Sequence, residues 1–182
     1  GVLRFMGALN TNHSIEVHWE DRIKPEHFFK CGSRGIPKEY AIDICNEVDA
    51  DFWVNIPCRA TDDYVRQFAT LIRDRLNSHL RVWVEWGNEN AWNYHREECD
   101  SIATERGLAN GHEANGRRAI EVCDIFTEVF GGSDRLVRMI AGQANSDQSL
   151  QKSLAAAAAY AAPDPLNTRI DAATVAHYYT RG

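Results

Sequence analysis

The stretch Arg81-Val82-Trp83-Val84-Glu85-Trp86-Gly87-Asn88-Glu89-Asn90 decides how the chain is read. Val82, Trp83, Val84 and Trp86 give it the β-branched and aromatic composition of a buried strand. Gly87 breaks that run, and the carboxyl end then delivers an amide and a carboxylic acid side by side, Asn88 and Glu89. A strand ending in Asn-Glu reads as an active-site strand. Gly-Asn is also ordinary turn chemistry, so the stretch alone supports a plain strand and turn equally well.

Working outward, residues 61–76 predict the clearest helix. Thr61 caps it, Asp62 and Asp63 suit its N-terminal dipole, and Tyr64, Phe68, Leu71, Ile72 and Leu76 form its apolar stripe. Before it lie a strand over residues 51–57 and a helix over residues 37–48, with Tyr40, Ile44, Cys45 and Val48 expected on one buried face. A strand over residues 2–7 carries Arg4. Between that strand and the first helix, residues 8–38 form a long polar and aromatic loop. Its aromatic residues suit sugar stacking, or it is an Ω-loop whose Trp19 plugs the core.

Beyond Glu89, residues 90–112 read as a second long insertion with Trp92, Tyr94 and His95 near its start. A helix follows over residues 113–130, stopped by Gly131-Gly132. Then come a strand over residues 135–142, an alanine-rich helix over 149–161 ended by Pro163 and Pro165, and a strand over 173–179.

Strands alternating with helices imply parallel pairing through right-handed crossovers. The fold class expected is α/β, and five such units fit a doubly wound sheet or a partial (β/α)8 TIM barrel. Neither Gly-x-Gly-x-x-Gly nor a P-loop occurs. Polar residues instead follow the carboxyl ends of the strands: Asn10 and His13, Asn55 and Arg59, Asn88 and Glu89, Gln143 and Asn145, His177 and Tyr179. A barrel keeps its active site there. Residues 1–182 are therefore read as a single partial barrel domain.

The chain has 182 residues, 44% of them hydrophobic and 25% charged, enough for one sizeable core. A net charge of -6 without a basic run argues against a nucleic-acid surface, and no apolar run reaches the length of a membrane span. Five scattered cysteines, without Cys-x-x-Cys or a close Cys/His pair, predict buried free thiols rather than zinc ligands or a disulfide framework. No metal or cofactor is expected. Abrupt ends, inside a strand at Gly1 and after Arg181-Gly182, suggest a piece of a longer protein.

The segment Val84-Glu85-Trp86-Gly87-Asn88-Glu89 resembles the fourth-strand signature of clan A glycoside hydrolases, the (β/α)8 retaining enzymes that include the family 5 cellulases and mannanases. In those enzymes an Asn-Glu pair ends strand four and the Glu is the general acid/base. Another Glu often stands three residues before the Asn, as Glu85 does here. Asn90 departs from the family's usual proline. Arg4 resembles the family's second-strand arginine that braces the catalytic carboxylates, and His177-x-Tyr179 resembles a later-strand His-x-Tyr lining the sugar subsite. The resemblance implies that residues 2–7 are strand two and that the chain ends after strand six. The family nucleophile, a Glu closing strand seven, then lies beyond Gly182.

Chemistry gives Glu89 an independent case. Retaining hydrolysis needs two carboxyl groups about 5 Å apart, one protonated and one ionised. Trp86 and Trp92 are candidates for the apolar wall that keeps such an acid protonated, and Asn88 suits a sugar 2-hydroxyl. Arg4 reads either as the brace of a partner carboxylate or as a structural ion pair with Glu85 or Glu89, and His177 either as a sugar ligand or as a core histidine. The expectation is a glycosidase acting on a β-linked polysaccharide, extracellular if the resemblance holds, with Glu89 catalytic and Arg4, Trp86, Asn88, Trp92, His177 and Tyr179 binding substrate. The alternatives are a non-catalytic carbohydrate-binding or scaffold barrel and, behind it, a barrel of unrelated chemistry.

Overall fold

The structure, a computed structural model, describes residues 1–27, 34–91, 95–143 and 146–176. It is an α/β fold built on a five-stranded, all-parallel sheet curled into a half-barrel. The strands are β1 (Val2–Arg4), β2 (Asp51–Ile56), β3 (Val82–Trp86), β4 (Leu136–Gln143) and β5 (Ala172–Ala176). The helices are α1 (Lys38–Val48), α2 (Asp62–Arg75), α3 (Arg96–Glu105), α4 (Gly111–Phe130) and α5 (Asp147–Ala161).

Spatial order follows sequence order, β1-β2-β3-β4-β5. A doubly wound sheet reverses direction at a switch point. Here nothing reverses, so right-handed crossovers put their helices on one face and leave the other concave.

Strand alternation sorts the side chains. Phe52, Val54 and Ile56 of β2, with Val82, Val84 and Trp86 of β3, turn to the helices and join one buried core with Ile42, Phe68, Ile120 and Phe126. Trp53, Asn55, Trp83 and Glu85 turn to the concave face, where the Trp53 and Trp83 rings stack at 5.9 Å.

Caps set the helix starts. Thr61 Oγ1 accepts from the Tyr64 N–H at 3.2 Å, as expected. Asn110 Oδ1 accepts from the N–H groups of His112 and Glu113, starting α4 two residues earlier than expected, and Ser146 Oγ does the same for α5 through Ser149. Burial pushes the Cys45 thiol up to about 11 and those of Cys99 and Cys123 up to about 12. With Cys58, these are four buried free cysteines, and Cys31 lies outside the described residues.

Three readings need correction. The first strand is Val2–Arg4 rather than 2–7, because the chain turns at once and Leu9 N–H bonds Phe5 C=O. The insertion at 90–112 contains α3, whose Cys99 and Ala103 pack inward. On α1 the buried stripe is Lys38, Ala41, Ile42 and Cys45, while Ile44 and Val48 are exposed. That stripe has ideal helical spacing, but a lysine opens it, which disguises it.

Lys38 also explains the long loop. Its buried Nζ donates to both Glu16 oxygens at 2.7 and 2.8 Å, and the Tyr64 hydroxyl donates to Glu16 as well. Burial holds the Lys38 ammonium below its usual pKa, against the raising pull of Glu16. Beside this cluster Trp19 is 9% exposed, edge-on to Tyr64 at 5.2 Å, with the Arg22 guanidinium 4.0 Å over its ring. Trp19 is thus a core plug.

The α1 register predicts unequal costs. Ile42→Ala lowers the unfolding free energy by about 2–4 kcal/mol, whereas Ile44→Ala changes it by about 0.5 kcal/mol or less. Urea denaturation of the two variants measures both.

Candidate active site

The concave face converges on one carboxyl group. Glu85, 1% exposed, projects from the middle of the sheet and receives donors from three other strands. Its Oε2 accepts from Arg4 Nη2 at 2.9 Å, Trp53 Nε1 at 2.8 Å and Asn55 Nδ2 at 2.7 Å, and its Oε1 accepts from Thr174 Oγ1 at 3.2 Å. Neighbouring strands lie about 4.8 Å apart, so short Thr174, two strands from Glu85, reaches it because the sheet curls. Arg4 forms an ion pair with Glu85, one of the two arrangements its position suggested.

The same guanidinium reaches the end of β3. Arg4 Nη2 donates to Asn88 Oδ1 at 2.7 Å, and Asn88 Nδ2 donates to Asn12 Oδ1 at 3.0 Å. Both ends of the Asn88 amide are therefore fixed, and its orientation with them. Beyond it Glu89 is 2% exposed, with Gln143 Nε2, from the end of β4, 3.4 Å from its Oε2.

The backbone that carries this pair is in the left-handed region at Gly87 (φ 67°), Glu89 (φ 51°) and Ala91 (φ 57°). Such conformations are costly outside glycine and concentrate at functional sites.

The structure thus brings together Arg4, Asn88 and Glu89. Trp86 is not with them: one residue beyond Glu85, strand alternation turns it into the core at 1% exposure. It cannot stack on a ligand from there. Trp92, His177 and Tyr179 lie outside the described residues. Trp53 and Thr174 line this face and were missed by sequence reasoning; strand alternation from Asn55 was a usable signal for Trp53, whereas Thr174, an odd three residues before His177, had none.

His95, at the start of α3, is 2% exposed, and neither ring nitrogen has a hydrogen-bond partner among the described residues. Glu98 Oε2, without one among the same residues, stands 4.0 Å from its Nδ1. Burial holds the imidazole below its ordinary pKa, helped by His13 and opposed by Glu98 and Glu89. Among the described residues no group of three His, Cys, Asp or Glu is placed to hold a metal.

Compared with known proteins, the chain matches no family model, no curated protein sequence and no solved structure.

Two outcomes follow from this geometry. Glu85→Ala strands the donors of Asn55 and Trp53 and uncouples Arg4, lowering stability by about 2–4 kcal/mol in urea denaturation. His95 has a folded-state pKa below its ordinary 6.5, so its contribution to stability is full above that pH and declines as the pH falls below it. His95→Gln removes this component, and thermal denaturation from pH 7.5 to 5 shows a shallower decline than in the parent.

Proposed function

We propose that this chain is the catalytic region of a retaining glycoside hydrolase that cleaves β-linked glycosidic bonds in a polysaccharide. In this reading the half-barrel is five units of a (β/α)8 barrel and Glu89 is the general acid/base. The observation that carries it is the end of β3: a buried carboxyl in left-handed backbone beside an amide whose orientation Arg4 fixes. A barrel presents its catalytic groups at the carboxyl ends of its strands, and an aimed amide next to an acid is what a sugar 2-hydroxyl and glycosidic oxygen require.

Chemical roles follow from position. Glu89 protonates the departing glycosidic oxygen and then, as its conjugate base, activates the water that releases the product. Asn88 binds the 2-hydroxyl, and Gln143 and Arg4 hold the pair in place. Glu85 is the other carboxyl of the strand, but four donors occupy its oxygens. Three of them crowd Oε2 and one meets Oε1, so this carboxyl braces the concave face. The resemblance to clan A glycoside hydrolases implies an attacking carboxylate on a later strand, beyond residue 182.

In the full-length protein, Glu89→Gln lowers hydrolysis of a β-glycoside with a poor leaving group by about two to four orders of magnitude, with the folded state retained by circular dichroism. Glu89→Ala regains turnover of an activated aryl glycoside when azide is added. Unchanged turnover in Glu89→Gln contradicts the assignment.

A further inference from the structure

The bond between Gly87 and Asn88 joins the strand to the proposed catalytic pair, and both polar ends of that peptide are held by asparagine side chains. On the concave side Asn55 Nδ2 donates to the Gly87 carbonyl at 2.9 Å. On the other side the Asn88 N–H donates to Asn90 Oδ1 at 3.1 Å.

Asn90 does more than accept that bond. Its Nδ2 donates to the Trp86 carbonyl at 2.5 Å, so one amide closes a ring from residue 86 to residue 88 across the left-handed Gly87. The fit is tight: a Cβ at Gly87 would lie 2.1 Å from Asn90 Oδ1 and 2.7 Å from Cys58 Sγ. Glycine is required at 87 both by its φ and by the amide packed against it.

The amide is itself anchored to the scaffold. Asn90 Nδ2 also donates to Asn115 Oδ1 at 3.1 Å, and the Cys58 thiol donates to Asn90 Oδ1 at 3.6 Å. Asn115, on α4, donates in turn to the Ala141 carbonyl of β4 at 3.1 Å and to Ser153 Oγ of α5 at 3.0 Å. Asn90 and Asn115 are each 1% exposed. This network ties the turn after β3 to α4, β4, α5 and the segment after β2, and none of its bonds touches the concave face where substrate is proposed to lie.

We infer that Asn90 is a positioning residue for Asn88 and Glu89: its side-chain amide locks the Gly87–Asn88 peptide in the orientation that aims both side chains, and Asn115 locks Asn90. The inference rests on the proposed glycosidase reading for its catalytic consequence, but the lock itself does not. A proline at position 90 stiffens a turn through its ring and has no side-chain donor. Here the same place in the chain is stiffened by hydrogen bonds from buried amides, which work in low dielectric where an unmade bond is expensive.

The test uses the full-length protein and two variants, Asn90→Ala and Asn115→Ala, the second covering the case in which the first does not fold. Amide hydrogen exchange reads the lock. The Asn88 amide exchanges about tenfold faster in either variant, while those of Val54 and Phe68 are unchanged. Steady-state kinetics read the positioning: kcat falls by about a hundredfold with KM within about twofold. Asn90→Asp keeps the acceptor for the Asn88 N–H and loses the donor, and it regains part of the kcat lost in Asn90→Ala. Unchanged exchange at Asn88 overturns the lock. Faster exchange with unchanged kcat overturns the positioning role. Faster exchange in the variants, with a parent protein that hydrolyses no β-glycoside, supports the lock and overturns the glycosidase reading instead.

Discussion

The carboxyl of Glu85 is the constraint on which the concave face depends. Burying a carboxyl at 1% exposure is costly unless donors surround it, and here they come from β1, β2 and β5. A flat sheet cannot bring those three strands to one residue of β3. The curl of the half-barrel and the satisfaction of Glu85 are therefore one structural fact. Arg4 carries it onward, since the nitrogen that pairs with Glu85 also aims the Asn88 amide.

Above Glu85, the turn at Gly87 changes what the strand presents. Up to Trp86, alternation hides every second side chain in the core. The left-handed residues at 87, 89 and 91 end that alternation, so Asn88 and Glu89 emerge together at the carboxyl end of β3. Strain of this kind persists when surrounding bonds over-determine the conformation. The asparagines at 55, 90 and 115 supply those bonds, from both faces of the strand.

Much of this was legible in the sequence. Composition marked β2 and β3 as buried strands, Thr61 announced α2, and alternation of strands with helices predicted parallel pairing. Asn88 and Glu89 stood out because an amide and an acid follow a broken apolar run. Other features were hidden for physical reasons. The Lys38 stripe of α1 was disguised because a buried lysine is tolerated only with a partner, Glu16, that lies 22 residues away. Trp86 was read as a substrate-binding residue and apolar wall beside Glu89 because it is aromatic and near in sequence, and composition does not say which face a strand residue takes. Asn90 looked like a lost proline, since the bonds that replace proline are made to residues distant in sequence, Cys58 and Asn115.

The most direct measurement of the central claim is a crystal structure of the full-length protein, as its Glu89→Gln variant, with a β-linked oligosaccharide bound. The account predicts a glycosidic oxygen within about 3 Å of the residue 89 side chain and a sugar 2-hydroxyl on the Asn88 amide. An oligosaccharide seated elsewhere on the protein, with no contact to Asn88 or residue 89, contradicts it.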